Sequence, residues 1–121
     1  MQFMLIMREP PEAYGQRNDP ARAPAYWGAW MAYAQAVRES GTFVSGAGLE
    51  LPSTTTTVRL RDGKRDVQDG PYADAKEQLG GFFVIDVPAL DAALEWAARS
   101  PAAATGCVEV RPVLSPPSQG R

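Results

Sequence analysis

The chain has 121 residues with 12 Lys+Arg, 14 Asp+Glu, no His and one Cys, which removes His-based triads, imidazole metal ligands and any disulfide within the chain. Its length suits one domain, and 45% apolar with 21% charged side chains describes a chain that folds around a core. A net charge of −2 gives no cationic cluster for nucleic acid, and no apolar run approaches the roughly 20 residues that a spanning helix needs.

The opening run Met1-Gln2-Phe3-Met4-Leu5-Ile6-Met7-Arg8 places apolar groups on both faces of a strand, so residues 2–8 read as a central strand. It lacks the basic start and small-residue exit of a signal peptide. With Cys107 unpaired, this predicts a reduced, cytoplasmic setting. Residues 9–24 hold Pro10, Pro11, Pro20 and Pro24 and read as a long surface loop. From Ala25, the spacing of Trp27, Trp30/Met31, Ala34 and Val37/Arg38 predicts a helix that Gly41 stops. Thr42–Ser45 opens a second strand, which Gly46-Ala47-Gly48 would bend or end.

The β-branched run 54–61 points Val58 and Leu60 one way and Arg59 and Arg61 the other. Asp62-Gly63 signals a hairpin, with Lys64–Gln68 as the return strand and Asp69-Gly70-Pro71 as the next turn. Gly81–Val87 is nearly all apolar and reads as another central strand. Pro88 suits the first turn of a helix whose buried stripe is Leu90, Ala93/Leu94 and Ala97, with Trp96 alongside, ending at Ser100-Pro101. A last strand covers Cys107 to about Leu114. The expected organisation is a single domain over residues 1–114 and a flexible tail over 115–121.

Two strand–helix–strand units with a hairpin between them form the ferredoxin-like pattern: an α+β fold whose antiparallel sheet carries both helices on one face. If Phe82 or Phe83, with Met4 or Leu5, points to the second face, a homodimer would cover it.

The segment Val67-Gln68-Asp69-Gly70-Pro71-Tyr72-Ala73-Asp74-Ala75-Lys76-Glu77-Gln78-Leu79-Gly80-Gly81 closely resembles the YCII-related, DGPF-domain family of small bacterial proteins. The likeness continues through Asp86-Val87-Pro88, Glu95–Ala98 and Val108–Val113, and back to Thr54–Thr57, with Tyr72 where the family name has Phe. The resemblance implies a dimeric α+β barrel of two ferredoxin-like protomers. Among such proteins is a dehydrochlorinase of a chlorinated hydroxyquinol with a proposed His–Asp pair. Counting back from Gly41, the position of that His falls here on Trp30, so the pair does not transfer. Other DGPF proteins are encoded beside alternative sigma factors, which implies a regulatory association.

Among candidate site residues, Asp69 sits on a turn made rigid by Pro71 and is either a general base or a cap for backbone N–H groups at Tyr72 or Ala73. Lys76 and Glu77 would tune it, or else face water as a weakly paired couple. Arg59 and Arg111 would clamp a carboxylate or phenolate, or else pair across strands with Asp66 or Glu109. Tyr26, Trp27, Trp30 and Tyr33 crowd one helix as core, dimer contact or pocket wall. Gly46-Ala47-Gly48 lacks the rest of a nucleotide loop, no spacing suggests a metal site, and Cys107 reads as a small buried hydrophobe.

These features predict a small-molecule enzyme or binder of lyase or isomerase type. It would work without a cofactor or metal on a polar or oxygenated aromatic compound, with Asp69 as proton acceptor, Lys76 and Glu77 as its electrostatic partners, and Tyr72, Arg59, Arg111 and Trp30 as substrate contacts. The alternative is a non-catalytic regulatory protein, associated with transcription, that binds a ligand or a transcription partner through its dimer surface. An enclosed pocket on the order of several hundred Å³ lined by Asp69 and an Arg favours the first; a filled interior with a large exposed apolar patch favours the second.

Overall fold

A computed structural model describes residues 1–71 and 77–115. Strand β1 (Gln2–Glu9) leads into a short helix α1 (Pro11–Tyr14), a 3-10 turn (Gly15–Asn18) and helix α2 (Ala23–Glu39). Then come β2 (Phe43–Gly48), a 3-10 turn (Pro52–Thr54) and the hairpin β3 (Thr56–Arg61) and β4 (Lys64–Asp69). The chain continues through β5 (Gln78–Asp86), α3 (Leu90–Arg99), α4 (Pro101–Thr105) and β6 (Cys107–Pro112).

Four strands form one sheet in the order β2-β5-β1-β6, every neighbouring pair antiparallel, and β3-β4 form a second, two-stranded sheet. This is the ferredoxin-like order with the hairpin inserted between its second and third strands. Strand β1 is bonded on both sides and alternates strictly: Phe3, Leu5, Met7 and Glu9 are buried on one face, while Met4, Ile6 and Arg8 lie on the other. The first face packs with Tyr33 and Val37 of α2, Ile85 and Val87, Ala93 and Ala97 of α3, and Ala102 of α4. Both long helices therefore lie on one face, as the element order predicts.

The glycines after Phe43 neither bend nor end β2 but carry it to Gly48, because the backbones come so close that a side chain has no room. A Cβ on Gly46 would lie 2.9 Å from the Phe82 carbonyl oxygen, and one on Gly81 2.9 Å from that of Ala47. At the hairpin, Asp62 and Gly63 both take positive φ (51° and 75°), the geometry that two-residue connections favour.

Several expectations are corrected by the packing. Residues 9–24 are not a plain loop: Glu9 ends β1, and α1 and a 3-10 turn follow. Helix α2 starts at Ala23 with Pro24 in its first turn, and its buried stripe is Tyr26, Tyr33 and Val37 with Trp30 beside them. Trp27 (43% exposed) and Met31 (71%) turn outward, so the apolar stripe is rotated by about one residue from the one expected. Pro88 precedes α3 rather than opening it. Ala93, Ala97 and Trp96 bury against the sheet, while Leu90 and Leu94 stay half-exposed. Pro101 does not end helical structure but opens α4, whose Ala102 N–H donates to the Ser100 hydroxyl at 3.2 Å.

On the outer face, Met4 is paired with Val84 and Ile6 with Phe82, whereas Leu5 and Phe83 face the helices. The hairpin also has an exposed apolar side, with Val58 opposite Val67 and Leu60 73% exposed beside them. Of the tail expected over 115–121, residues 116–121 lie outside the described residues, and no helix among the described residues is long and apolar enough to cross a membrane.

Tyr33 ties the two helices together, its hydroxyl donating to the Trp96 carbonyl oxygen at 2.7 Å. Burial pushes that phenol up to about 12 from 10.0, with Arg99 opposing slightly. A raised value stabilises the fold fully below the unfolded value near 10.0 and less and less as pH climbs toward about 12. Denaturant unfolding at a series of pH values should show stability falling across that window. Tyr33→Phe should flatten the fall and cost about 1 kcal/mol at neutral pH for the lost hydrogen bond.

Candidate functional site

Strand β1 ends in a carboxylate on the same face as Phe3, Leu5 and Met7, so the alternation that builds the core also buries Glu9, which is 2% exposed. The Tyr26 hydroxyl, one helix away, lies 2.8 and 2.9 Å from its two oxygens and donates to them. Arg17, on the 3-10 turn, donates from Nε to the Tyr26 oxygen at 3.0 Å and from Nη1 to the Leu49 carbonyl oxygen at 2.6 Å, and its Nη2 stands 3.5 Å from Glu9 Oε1. Gly80 makes the space: a Cβ there would lie 2.8 Å from Glu9 Oε1. The register between β1 and β5 shifts just there, Met7 pairing with Gly81 and Arg8 with Leu79, so Gly80 is a bulge. Desolvation raises the Tyr26 phenol above its ordinary value, the Arg17 hydrogen bond opposes this, and Glu9 adds to it. Tyr26 therefore stays protonated and remains a donor.

Beside this network, between α2 and strands β2 and β5, lies a cavity of about 170 Å³. Its aromatic wall is Trp27, Trp30, Phe43 and Phe83, and its cations are Arg17 and Arg38. The rings meet edge to face, Phe43–Phe83 at 6.2 Å between centroids and Tyr33–Phe83 at 5.4 Å, which fixes the wall. Gly46 and Gly81, required by the close approach of β2 and β5, also line it, so backbone is exposed where side chains would fill the space. Arg17 stands over the Trp27 ring at 5.1 Å and Arg38 over the Phe43 ring at 5.0 Å. Two further cavities adjoin. One of about 410 Å³ shares Arg17, Trp27 and Gly48 and runs along Leu49–Leu51. Another of about 200 Å³ lies behind Trp30 and is lined by Glu9 and Tyr26. Trp30 is thus the partition, and its indole N–H is buried with no acceptor among the described residues.

The structure disperses most of the residues singled out from the sequence. Trp30 is in the cavity wall. Asp69 is exposed at the end of β4 opposite Thr56, on the hairpin face of Val58 and Val67, while Arg59 is half-buried on the other face, so the two point away from each other. Arg59 stands opposite Asp66 in the hairpin register, the cross-strand neighbour expected for it; Asp66 is ion-paired with Arg61 at 3.2 Å, and Glu109 pairs with Arg8. Arg111 is exposed on the outer sheet face opposite Met4. Glu77 accepts a hydrogen bond from the Cys107 thiol at 3.2 Å. Burial first, and then Glu77, push that thiol up, so half-buried Cys107 is a protonated donor. The turn at Gly70 is held by its N–H to Thr55 and by the Thr57 hydroxyl to its carbonyl. Tyr72, Lys76 and the caps suggested for Asp69 at Tyr72 or Ala73 lie outside the described residues.

Comparison with known proteins agrees with this architecture. A family model of the YCII-related domain matches residues 1–116, and the chain belongs to that family. An uncharacterized protein of Rhizobium meliloti (strain 1021) is 42% identical over 77 residues, 62% of each chain, so the match spans under two thirds of that relative's length. Among solved structures, the chain is similar to the 5-chloro-2-hydroxyhydroquinone dehydrochlorinase of Burkholderia phenoliruptrix AC1100 in complex with 2,5-dihydroxybenzoquinone. The TM-score is 0.54, with 15% identity and 94% of each chain covered, a likeness of fold.

Removing one member of a buried ion pair leaves the other uncompensated. Glu9→Ala should therefore lower unfolding stability by about 3–5 kcal/mol. Tyr26→Phe, which keeps the ring and loses only the hydroxyl, should cost about 1.5–3 kcal/mol. Equilibrium urea unfolding of both variants checks the order; equal losses would show that Glu9 contributes nothing beyond its bond to the Tyr26 hydroxyl.

Proposed function

We propose that this member of the YCII-related family is a small-molecule enzyme or binder of lyase or isomerase type. It takes an oxygenated single-ring aromatic in the cavity beneath α2 and works without a cofactor, with a carboxylate as proton acceptor. The observation that carries this is the cavity itself: four aromatic rings around about 170 Å³, with cations at its edge and a buried carboxylate network against its wall. An apolar cavity of about 150 Å³ holds one benzene ring, so the ligand is a single ring rather than a fused system. The fold is one that also serves a dehydrochlorinase seen with a dihydroxybenzoquinone, a ligand of that size.

The carboxylate best placed for the role is Glu9 rather than Asp69. Glu9 is the one buried carboxylate among the described residues, held by Tyr26 and Arg17, and Arg17 lies in the cavity wall. Asp69 on the exposed hairpin has no such setting. Glu9 and Tyr26 line the adjoining space behind Trp30 rather than the aromatic cavity itself, so a proton would reach Glu9 from that side, the Tyr26 hydroxyl passing its own proton to Glu9 and taking the incoming one.

A homodimer belongs to the same proposal. Half-buried Met4, Ile6 and Phe82 lie beside buried Val84 on the sheet face that carries no helix, and a second copy would cover the apolar surface they leave. The regulatory alternative draws on the exposed hairpin side of Val58, Leu60 and Val67, but a second copy would account for that stripe as well.

Two measurements test these points. Saturation-transfer NMR with 2,5-dihydroxybenzoquinone should show binding by the wild type. Ala34→Phe, which fills the cavity from α2, should abolish it while the protein stays folded; binding that survives places the ligand elsewhere. Sedimentation equilibrium should give twice the 13.1 kDa chain mass, and Phe82→Glu should return it to the monomer; a monomeric wild type removes the dimer.

A further inference from the structure

We infer that the ligand of the aromatic cavity is the anion of an acid carried on a single ring, and that Arg38 selects its charge. This holds only if the cavity is the ligand site proposed above. Two cations line the cavity and, among the described residues, no carboxylate does. They are not equivalent. Arg17 is paired with Glu9 behind it, and each of its three nitrogens already donates within the protein, to Tyr26, Leu49 and Glu9. Arg38 has no acidic partner among the described residues. The neighbouring acid, Glu39, instead accepts from the Gln35 amide at 2.7 Å, the pairing expected four residues apart on a helix.

Arg38 is exposed, with its guanidinium over the Phe43 ring at 5.0 Å, and Phe43 is itself cavity wall. An aromatic face restrains the cation without neutralising it. The cavity is thus apolar within and carries one uncompensated positive charge at its edge. A ligand that keeps its charge at that edge and puts its ring inside satisfies both, whereas an anion with no ring would leave the aromatic wall unfilled. The class is a single-ring aromatic acid.

Isothermal titration calorimetry at low salt with 4-hydroxybenzoate and its neutral isostere 4-hydroxybenzamide tests this. The wild type should bind the acid about tenfold tighter than the amide, or more. In Arg38→Met, which keeps an apolar stem over Phe43, the ratio should fall to within about twofold. Arg22→Met should keep the wild-type ratio, since Arg22 pairs with Asp19 at 2.9 Å and lines none of these cavities. Equal binding of the two probes by the wild type overturns the anion preference, and a ratio that survives Arg38→Met overturns the role of Arg38. Binding of neither probe overturns instead the placement of the ligand in this cavity.

Discussion

The structure depends on strand β1 being hydrogen-bonded along both edges while its odd-numbered side chains point the same way. Pairing with β5 and β6 leaves it no free edge, so the direction of each side chain is fixed by the pleat. Phe3, Leu5 and Met7 then form the floor on which α2 and α3 rest. The next position on that face is Glu9, and a carboxylate placed there must be solvated by the protein or not be buried at all. Tyr26 and Arg17 solvate it, which requires the first turn of α2 and the 3-10 turn before it to lie against the end of β1. A slip of one residue in β1 would put Met4 and Ile6 on the floor and turn Glu9 out, so core and polar network stand or fall together.

The cavity arises from a second constraint, the approach of β2 to β5 through glycine. Where Gly46 and Gly81 face the neighbouring carbonyls, the backbones are too close for a Cβ, and the side chains that would have filled the space above them are absent. Helix α2 spans the gap with Trp30 and Ala34 rather than closing it. The room is thus a consequence of strand pairing, and its size follows from how many side chains are missing, which is why it suits one ring. A larger ligand would need the neighbouring space along Leu49–Leu51, which is bounded by Arg17 and Trp27.

Much of the fold was legible because it rests on local signals. The alternation of β1, the Asp62-Gly63 turn with both residues at positive φ, and the two-sided apolarity of 81–87 each fix an element without reference to the rest. The order of those elements then selects the ferredoxin-like sheet. The site was less legible because it is assembled from long-range coincidence. Asp69 drew attention as a carboxylate on a rigid turn, yet chemistry at a turn depends on what lies opposite, and there the hairpin is exposed. Arg17 sat among prolines that read as loop, and nothing in 9–24 announces that it reaches Glu9. Glu9 itself did carry a signal: it continues the Phe3, Leu5, Met7 alternation, and a charged residue in phase with a buried face is the pattern to follow. In α2 the apolar residues are broad enough to define two stripes, and the choice of Tyr26 and Tyr33 over Trp27 and Met31 was made by the Glu9 carboxylate and the Trp96 carbonyl, which need hydroxyls.

The two arginines beside the cavity show how one side chain type takes on separate duties according to what lies behind it. Arg17 is desolvated, and a guanidinium in that position without an acid would be a net cost; Glu9 removes the cost and turns the pair into a scaffold. The same pairing cancels the field that Arg17 would project into the cavity. Arg38 remains in water, where an unpaired cation costs little, and its position over Phe43 points its charge at the opening without a protein anion to quench it. The burial that makes Arg17 structural and the exposure that leaves Arg38 available both follow from the rotation of α2. Tyr26 is set inward toward Glu9, and Arg38, twelve residues on, lies a third of a turn beyond whole turns, at the edge where the helix meets water. An inward Trp27 stripe would have moved both arginines and dissolved the distinction between them.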